Sequence, residues 1–179
     1  KVGVKVKNLV LPINYSEDEM LVKLARLARQ QGVKVLCIGA GQEVSEGDLS
    51  IECLQPENQE LDGNAGSMVL SVTFKEFEML LTGDVEGEGE EMLVKALEQD
   101  DANLPESYDV LKVAHHGSKN STTEELLNQI NPKLALISAG EGNRYGHPHK
   151  ETLERLKGAK CKVLETGECG AITLEVGEE

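Results

Sequence analysis

Residues 109–118 read Asp-Val-Leu-Lys-Val-Ala-His-His-Gly-Ser, an apolar run that ends directly in two histidines and a glycine. Short apolar, β-branched runs bounded by Gly, Pro, Asn or Asp are typical of strands. The run Val110–Ala114 therefore predicts a strand, and the His-His-Gly sequence predicts its exit into a loop. In open α/β sheets, binding and catalytic groups concentrate at the carboxyl ends of strands.

Similar runs on both sides of this segment predict a sheet. Three of them follow one another with no helix between and predict an antiparallel meander, whereas the later ones alternate with helical patterns. The predicted strands besides Val110–Ala114 are Lys34–Ile38, Leu49–Leu54, Met68–Phe74, Phe77–Leu81, Leu134–Ser138, Lys162–Leu164 and Ala171–Val176.

Four segments have the apolar spacing of amphipathic helices. The first, from Ser16 to Gln31, opens with a Ser-x-x-Glu capping box and ends at Gly32. Its predicted buried face consists of Met20, Leu21, Leu24, Leu27 and Ala28. The others run from about Gly89 to Gln99, from the cap Ser121 to Asn131 and from Lys150 to Lys157. The sequence thus predicts an α/β fold with mixed sheets in a single domain over residues 1–179.

Composition excludes several classes of protein. The chain has 179 residues, of which 39% are hydrophobic, and its apolar stretches are far shorter than the roughly 20 residues needed to cross a bilayer. This predicts a soluble chain with one core. A net charge of −14, 3% aromatic residues and no tryptophan argue against direct nucleic-acid binding unless cations intervene. The four cysteines form no C-x-x-C pair and predict buried free thiols.

The histidines are unevenly placed along the chain. None occurs in the first 114 residues, and all four lie in two groups that follow strands, His115-His116 and His147-Pro148-His149. Asp84 follows the strand Phe77–Leu81 in the same way. Imidazole and carboxylate groups suit zinc, manganese or iron, and a carboxylate can bridge two cations. A plain Gly-Asp turn and structural histidines remain the alternatives, but the three features together predict a metal site.

Four further residues are candidates for supporting roles. Ser118 follows the histidine pair and could hydrogen-bond a ligand. Asn64 and Ser67 precede a strand in a polar loop, where ordinary turn chemistry is the alternative. Arg144, beside His147, could bind a phosphate or simply decorate its loop.

Four motifs in series carry a resemblance to a known family. The chain resembles the metallo-β-lactamase-like domain of the DNA-internalisation competence proteins of the ComEC type, in the same order and over nearly its whole length. The motifs are Asn64-x-x-Ser67-x-Val69-Leu70, Leu80-Leu81-Thr82-Gly83-Asp84, 109–118 and Asn143-Arg144-Tyr145-Gly146-His147-Pro148.

The resemblance implies both a fold and a function. The expected fold is a metallo-β-lactamase-like αββα sandwich, of which this chain would be the carboxyl-terminal portion. The expected function is a metal-dependent hydrolase, a phosphodiesterase or nuclease, with two zinc or manganese ions. It would belong to a bacterial membrane protein that imports single-stranded DNA through a channel of the same polypeptide. The domain would lie at the outer face of the membrane and degrade the strand that is not imported.

The resemblance also implies residue roles. Asp84 maps to a bridging metal ligand. His115, His116 and His147 map to ligands or to proton donors near the metals, with His116 and His147 as the catalytic candidates.

One departure from the wider fold alters the expected activity. The H-x-H-x-D-H motif that supplies further ligands is absent, since no histidine precedes His115. We therefore expect that the domain is cut after that motif, in keeping with the missing initiator Met, and that the isolated fragment binds metal weakly, if at all, and is inactive. Two other functions stay open: hydrolysis of another ester, such as a phosphocholine ester or a lactone, and a non-catalytic interaction module.

Overall fold

A computed structural model describes residues 3–57, 61–98 and 104–177. The strands are β1 Asn8–Pro12, β2 Lys34–Ile38, β3 Gln42–Glu46, β4 Leu49–Gln55, β5 Val69–Phe74, β6 Phe77–Leu81, β7 Val110–Lys112, β8 Leu134–Ile137 and β9 Lys162–Glu165. The helices are α1 Glu19–Gln30, α2 Glu88–Leu97, α3 Glu124–Ile130, α4 Lys150–Gly158 and α5 Thr166–Cys169. No described helix combines the length and the apolar character needed to cross a membrane.

The principal sheet has seven strands in the order β3-β4-β5-β6-β7-β8-β9. Strands β3 to β6 pair antiparallel, which confirms the predicted meander, and β6 to β9 pair parallel. The predicted mixed α/β class is therefore confirmed. Because β6, β7 and β8 are parallel neighbours, their carboxyl ends meet at one edge of the sheet.

The first helix begins at a different cap from the predicted one. Ser16 lies in a 3₁₀ turn, Tyr15–Glu17, and its hydroxyl bonds Glu17 rather than a helix amide. Asp18 is the cap, because its Oδ1 accepts from the amides of Met20 and Leu21 at 2.7 and 3.0 Å. The predicted Ser16 capping box is thus wrong, and an aspartate supplies the same chemistry two residues later.

The predicted buried face of α1 is also wrong in part. The helix crosses over between the parallel strands β1 and β2, and it buries Ala25 and Ala28. Met20, Leu24 and Leu27 are instead exposed, Met20 by 71%. The two alanines let the helix approach this two-stranded sheet closely, and the larger apolar side chains consequently point away from it.

The hydrophobic core lies around the central strands of the seven-stranded sheet. Tyr108 is fully buried there, and its hydroxyl lies 3.1 Å from Ser71 Oγ. Burial raises the pKa of Tyr108 to about 12. The largest aliphatic side chains of this core are Leu80, Leu93, Leu111, Leu126, Ile130, Ile137 and Leu156.

Helix α3 is capped by Thr123, not by the predicted Ser121. Thr123 Oγ1 accepts from the amide of Leu126 at 3.3 Å. The Ser121 hydroxyl is buried and lies 3.1 Å from the carbonyl oxygens of both Ala114 and Ser118, which share its one proton. Ser121 therefore shapes the loop that carries the histidine pair instead of starting the helix.

The remaining differences lie in peripheral segments. Residues 171–176 alternate as a strand would, yet they pair with no described strand, so that prediction is wrong. Strands β1 and β3 were not predicted, and Gln99, the predicted end of the second helix, lies outside the described residues. All four cysteines are free, as predicted, but Cys37 and Cys169 are exposed rather than buried.

Candidate functional site

Three loops from neighbouring strands meet at the carboxyl edge of the sheet. Asp84 follows β6, the histidine pair follows β7, and His147 lies in the loop after β8. The ring of His147 lies 5.4 Å from that of His115 and 6.4 Å from that of His116, measured between centroids. The structure thus brings together the four residues for which the sequence predicts metal binding.

Asp84 and His116 face each other across the centre of this site. His116 Nδ1 lies 2.6 Å from the carbonyl oxygen of Ser138. A carbonyl can only accept, so Nδ1 carries a proton and donates it, and in the neutral ring Nε2 keeps its lone pair. This Nε2 lies 3.7 Å from Asp84 Oδ1, and both side chains are about half exposed. Two acceptors therefore face one another across a gap that suits a cation.

A second carboxylate, Glu86, holds the ring of His115. His115 Nδ1 lies 2.9 Å from Glu86 Oε2, so Nδ1 donates, and in the neutral ring Nε2 keeps its lone pair. Asn64 Nδ2 donates to Glu86 Oε1 at 2.9 Å, and the Ser118 hydroxyl donates to Oε2 at 3.4 Å. Partial burial alone would raise the pKa of Glu86, but the hydrogen bonds from Asn64, His115 and Ser118 outweigh it and lower that pKa.

The backbone of the histidine pair is in an unusual conformation. His115 and His116 have φ angles of 43° and 57°, in the left-handed region that residues with a β-carbon seldom adopt. The amide of His115 donates to the carbonyl of Gly83 at 3.1 Å, which ties the pair to the Asp84 turn. Strain of this kind persists where surrounding contacts enforce it, and it clusters at functional sites.

The loop of His147 packs closely on the histidine pair. A β-carbon on Gly117 would lie 2.6 Å from Pro148 Cβ, so only glycine allows this approach. The amide of His149 donates to the carbonyl of Gly117 at 2.9 Å. These contacts fix the position of His147 relative to His115 and His116.

Asn143 shapes the loop that presents His147. Its Oδ1 accepts from the amide of His147 at 3.1 Å, and its Nδ2 donates to the His147 carbonyl at 2.5 Å. Partial burial, followed by the charges of the neighbouring histidines, lowers the pKa of His147. The ring is accordingly neutral at pH 7. Arg144 lies at the rim, where its guanidinium stacks 4.6 Å from the ring centre of Tyr145 and bonds the Tyr145 hydroxyl.

Two more side chains border Asp84. Ser67 packs behind the turn, since a β-carbon on Gly83 would lie 3.3 Å from Ser67 Cβ. Lys112, at the end of β7, donates from Nζ to the carbonyl of Val113 at 2.7 Å. Burial lowers the pKa of Lys112, and the charge of Asp84 opposes that effect. The sequence did not single out Lys112, because one lysine within a strand carries no motif.

The donor set matches a divalent metal in chemistry but not in number. Among residues 3–57, 61–98 and 104–177, no three His, Cys, Asp or Glu side chains converge as a metal-binding group. Asp84 and His116 offer two donors of the kinds that zinc and manganese accept. A protein site for zinc generally needs at least three such donors.

Comparison with known proteins places these motifs in a functional context. No protein-family model matches the chain. ComE operon protein 3 of Bacillus subtilis is 38% identical over 169 residues, covering 94% of this chain and 21% of that protein. Recombination protein 2 of Haemophilus influenzae is 36% identical over 134 residues, covering 74% of this chain and 16% of that protein. Competence protein ComA of Neisseria gonorrhoeae is 35% identical over 130 residues, covering 72% of this chain and 18% of that protein.

The chain is similar to one segment of bacterial competence proteins. The relatives' names support a competence and DNA-uptake family. The chain spans about a fifth of the length of the curated relatives it matches. The alignment with ComE operon protein 3 covers 94% of this chain. It therefore includes the residues at the edge of the sheet where Asp84 and the histidines meet.

Sequence reasoning missed Glu86. It lies in a run of acidic residues from Asp84 to Asp101 that is typical of a solvated face. Its position two residues after Asp84, just beyond the turn that spans 82–85, is no motif by itself. Its partner His115 lies 29 positions away along the chain, so no local pattern could have paired them.

We expect Glu86→Gln to release the ring of His115. A glutamine amide can replace only one carboxylate oxygen as an acceptor, whereas His115, Asn64 and Ser118 all donate to Glu86. Long-range ¹H–¹⁵N spectra of the histidine rings should show that the proton of His115 is no longer held on Nδ1 alone. Exposed Glu88→Gln is the matched control, and an unchanged His115 tautomer in Glu86→Gln would contradict this role.

Proposed function

We propose that this chain forms part of a metal-dependent phosphodiester hydrolase site in a DNA-uptake protein, with a metallo-β-lactamase-like architecture. The substrate would be single-stranded DNA, in particular the strand that is not imported. In this proposal the domain lies at the outer face of the cell membrane, beside a channel formed by the same polypeptide. The similarity to competence proteins supports the context, and the geometry at Asp84 supports the chemistry.

One observation carries the proposal. His116 Nε2 and Asp84 Oδ1 lie 3.7 Å apart, too far for a hydrogen bond, while the Ser138 carbonyl holds the ring proton on Nδ1. A lone pair and a carboxylate oxygen in this relation are complementary to a cation. Zinc or manganese bound here would supply Lewis-acid stabilisation of charge on a phosphoryl group.

The other side chains are suited to handling protons and the substrate. His147 is neutral at pH 7 and can accept a proton or donate its single N–H to a phosphate oxygen. His149 Nδ1 accepts from the amide of Lys119 at 3.1 Å, so its ring proton is on Nε2. Glu86 keeps His115 in one tautomer, with Nε2 free to act as a ligand or a base.

The number of donors bears on the activity of the chain by itself. Two donors bind zinc or manganese weakly, and a two-ion site needs further ligands that the described residues do not supply. We therefore propose that the complete site includes ligands from outside these residues. The 179-residue chain alone is expected to be inactive as a hydrolase.

A non-catalytic interaction module is the second candidate. The observation in its favour is the same shortage of converging donors. In that case Asp84 and the histidines would be remnants, and hydrolysis would not appear when further ligands are supplied.

The test is manganese- and zinc-dependent hydrolysis by the longer polypeptide that carries the complete site. We expect cleavage of a labelled single-stranded oligonucleotide in the presence of metal and none after chelation. A phosphocholine ester and a lactone serve as alternative substrates in parallel. Hydrolysis of either alternative substrate while the oligonucleotide stays intact would contradict the nuclease assignment. No hydrolysis of any substrate would favour the interaction module.

A further inference from the structure

Charge is strongly segregated along this chain. Residues 1–38 contain seven Lys and Arg against three Asp and Glu, whereas residues 39–179 contain 11 against 29. The first part thus carries a net charge of +4 and the second a net charge of −18. Three of the seven positive residues, Lys1, Lys5 and Lys7, precede β1, and the β1-α1-β2 unit itself has four Lys and Arg against three Asp and Glu. An anionic polymer that approaches this protein is attracted to this amino-terminal part and repelled by most of the remaining surface.

The β1-α1-β2 unit contains an open cleft of about 570 Å³ between α1 and the preceding 3₁₀ turn. Arg26 and Arg29 lie on one face of the helix, one turn apart, and the half-buried Tyr15 forms the facing wall. Among the described residues that line the cleft none is acidic, and the carboxylate beside it, that of Glu17, accepts from the Ser16 hydroxyl at 3.2 Å. Its lining residues are Tyr15, Ser16, Val22, Arg26, Arg29 and Gln30.

The two guanidinium groups have few partners. Within the described part of the chain, Arg26 makes no hydrogen bond and no ion pair, and the one side-chain bond of Arg29 goes to the neutral Tyr15 hydroxyl at 3.5 Å. Lys23 on the same helix differs, because its ammonium pairs with Glu19 at 3.4 Å. The cleft therefore holds two unneutralised planar donors beside an aromatic ring, a combination suited to phosphate and to a base.

The cleft is connected to the candidate site by direct contacts. Asn14, next to Tyr15, is 8% exposed, and its Nδ2 donates to the carbonyls of Leu61 and Gly66, both at 3.0 Å. The loop between those two residues carries Asn64, whose Nδ2 lies 3.3 Å from His115 Nδ1. One short loop thus separates the arginine cleft from the histidine cluster.

We propose that the Arg26–Arg29 cleft binds the phosphate backbone of single-stranded DNA and holds the strand beside the Asp84 site. This inference rests on the proposed function and adds the place where the substrate is held. Arg26 and Arg29 contact phosphate oxygens through paired N–H donors, and Tyr15 stacks on a neighbouring base. The negative charge of residues 39–179 disfavours contact of the strand with the remaining surface.

The test is binding of a fluorescein-labelled oligothymidylate to the 179-residue chain by anisotropy, in EDTA so that no metal takes part. The variant is Arg26→Gln with Arg29→Gln. The control is Lys23→Gln with Lys34→Gln, which removes the same charge from the same unit outside the cleft. We expect the arginine variant to bind about tenfold more weakly and to lower the salt slope by about 1.4, roughly 0.7 for each phosphate contact.

The lysine control should bind the oligonucleotide with an affinity within about twofold of that of the wild type. It weakens the long-range electrostatic attraction of DNA but leaves the phosphate contacts of the cleft in place. Equal losses of affinity in the two variants, or no salt-dependent binding by the wild type, would overturn the proposal that the cleft binds DNA. The proposed function would then still be tested separately by the hydrolysis assay. Binding to anionic phosphatidylglycerol vesicles that needs the arginines, without binding to the oligonucleotide, would overturn it in favour of a lipid surface. Thermal unfolding of each variant confirms that it is folded.

Discussion

Asp84→Asn is expected to lower manganese-dependent hydrolysis by the complete site more than about 100-fold. Loss of a residue that only hydrogen-bonds to a metal ligand lowers activity by up to about 100-fold, and Asp84 is itself a proposed ligand. The substitution keeps the shape of the side chain and removes its charge. The lone pair of His116 Nε2, 3.7 Å away, then has only a weakly basic amide oxygen opposite it. Affinity for the metal should fall in parallel, since a two-donor site loses half of its donors.

Asp48→Asn is the matched control for this substitution. Asp48 lies in the exposed turn between β3 and β4, so the same change of charge there should leave hydrolysis unaltered. Equal activities in Asp84→Asn and the wild type would remove Asp84 from the mechanism and, with it, the metal assignment.

Glu90→Gln should lower the free energy of unfolding by about 2–3 kcal/mol. Glu90 lies in α2 and is 2% exposed, and its two carboxylate oxygens accept from the amides of Thr122 and Thr123 at 2.6 and 2.7 Å. In glutamine one oxygen becomes an NH₂ group that faces a backbone donor. Thr122 has a φ of 56°, a costly conformation for a β-branched residue that this carboxylate helps to hold.

Calorimetry of unfolding measures this effect. For a domain of this size the expected fall in Tm is roughly 5–10 °C. Glu91→Gln is the control, because Glu91 is the next residue along the helix and is exposed. If both variants unfold at the temperature of the wild type, the buried carboxylate does not hold the loop as inferred here.

The position of the site was predictable from the sequence for a topological reason. Parallel strands that are neighbours in a sheet end at the same edge, so side chains in the segments that follow β6, β7 and β8 were expected to approach one another. The short spacing between Phe77–Leu81 and Asp84 and the direct junction of β7 to the histidines left little freedom. Asp84, His115 and His116 were therefore accessible to sequence reasoning.

The carboxylates that support the site were not predictable. Glu86 and Glu90 lie in the same acidic run, and their partners lie about 30 positions away in the loop after β7. Nothing local distinguishes them from exposed Glu88 and Glu91. Their burial depends on how α2 packs against that loop, which is a tertiary property.

The apolar pattern of α1 also shows the limits of local reasoning. Periodicity predicted a helix correctly, but it did not predict which apolar face is covered. Ala25 and Ala28 pack against the two-stranded sheet, whereas Met20 and Leu27 stay exposed. The apolar side chains occupy more of the surface of α1 than these two strands can cover.

The most direct test of the central claim, that Asp84 and His116 share one cation, is manganese titration of the ¹⁵N-labelled 179-residue chain followed by NMR. The unpaired electrons of manganese broaden signals close to the ion. The account predicts that the ring signals of His116 broaden first, ahead of those of His149, and that Asp84→Asn abolishes this selective broadening. Equal broadening in the wild type and Asp84→Asn, or broadening centred on the exposed glutamates of α2, would contradict it.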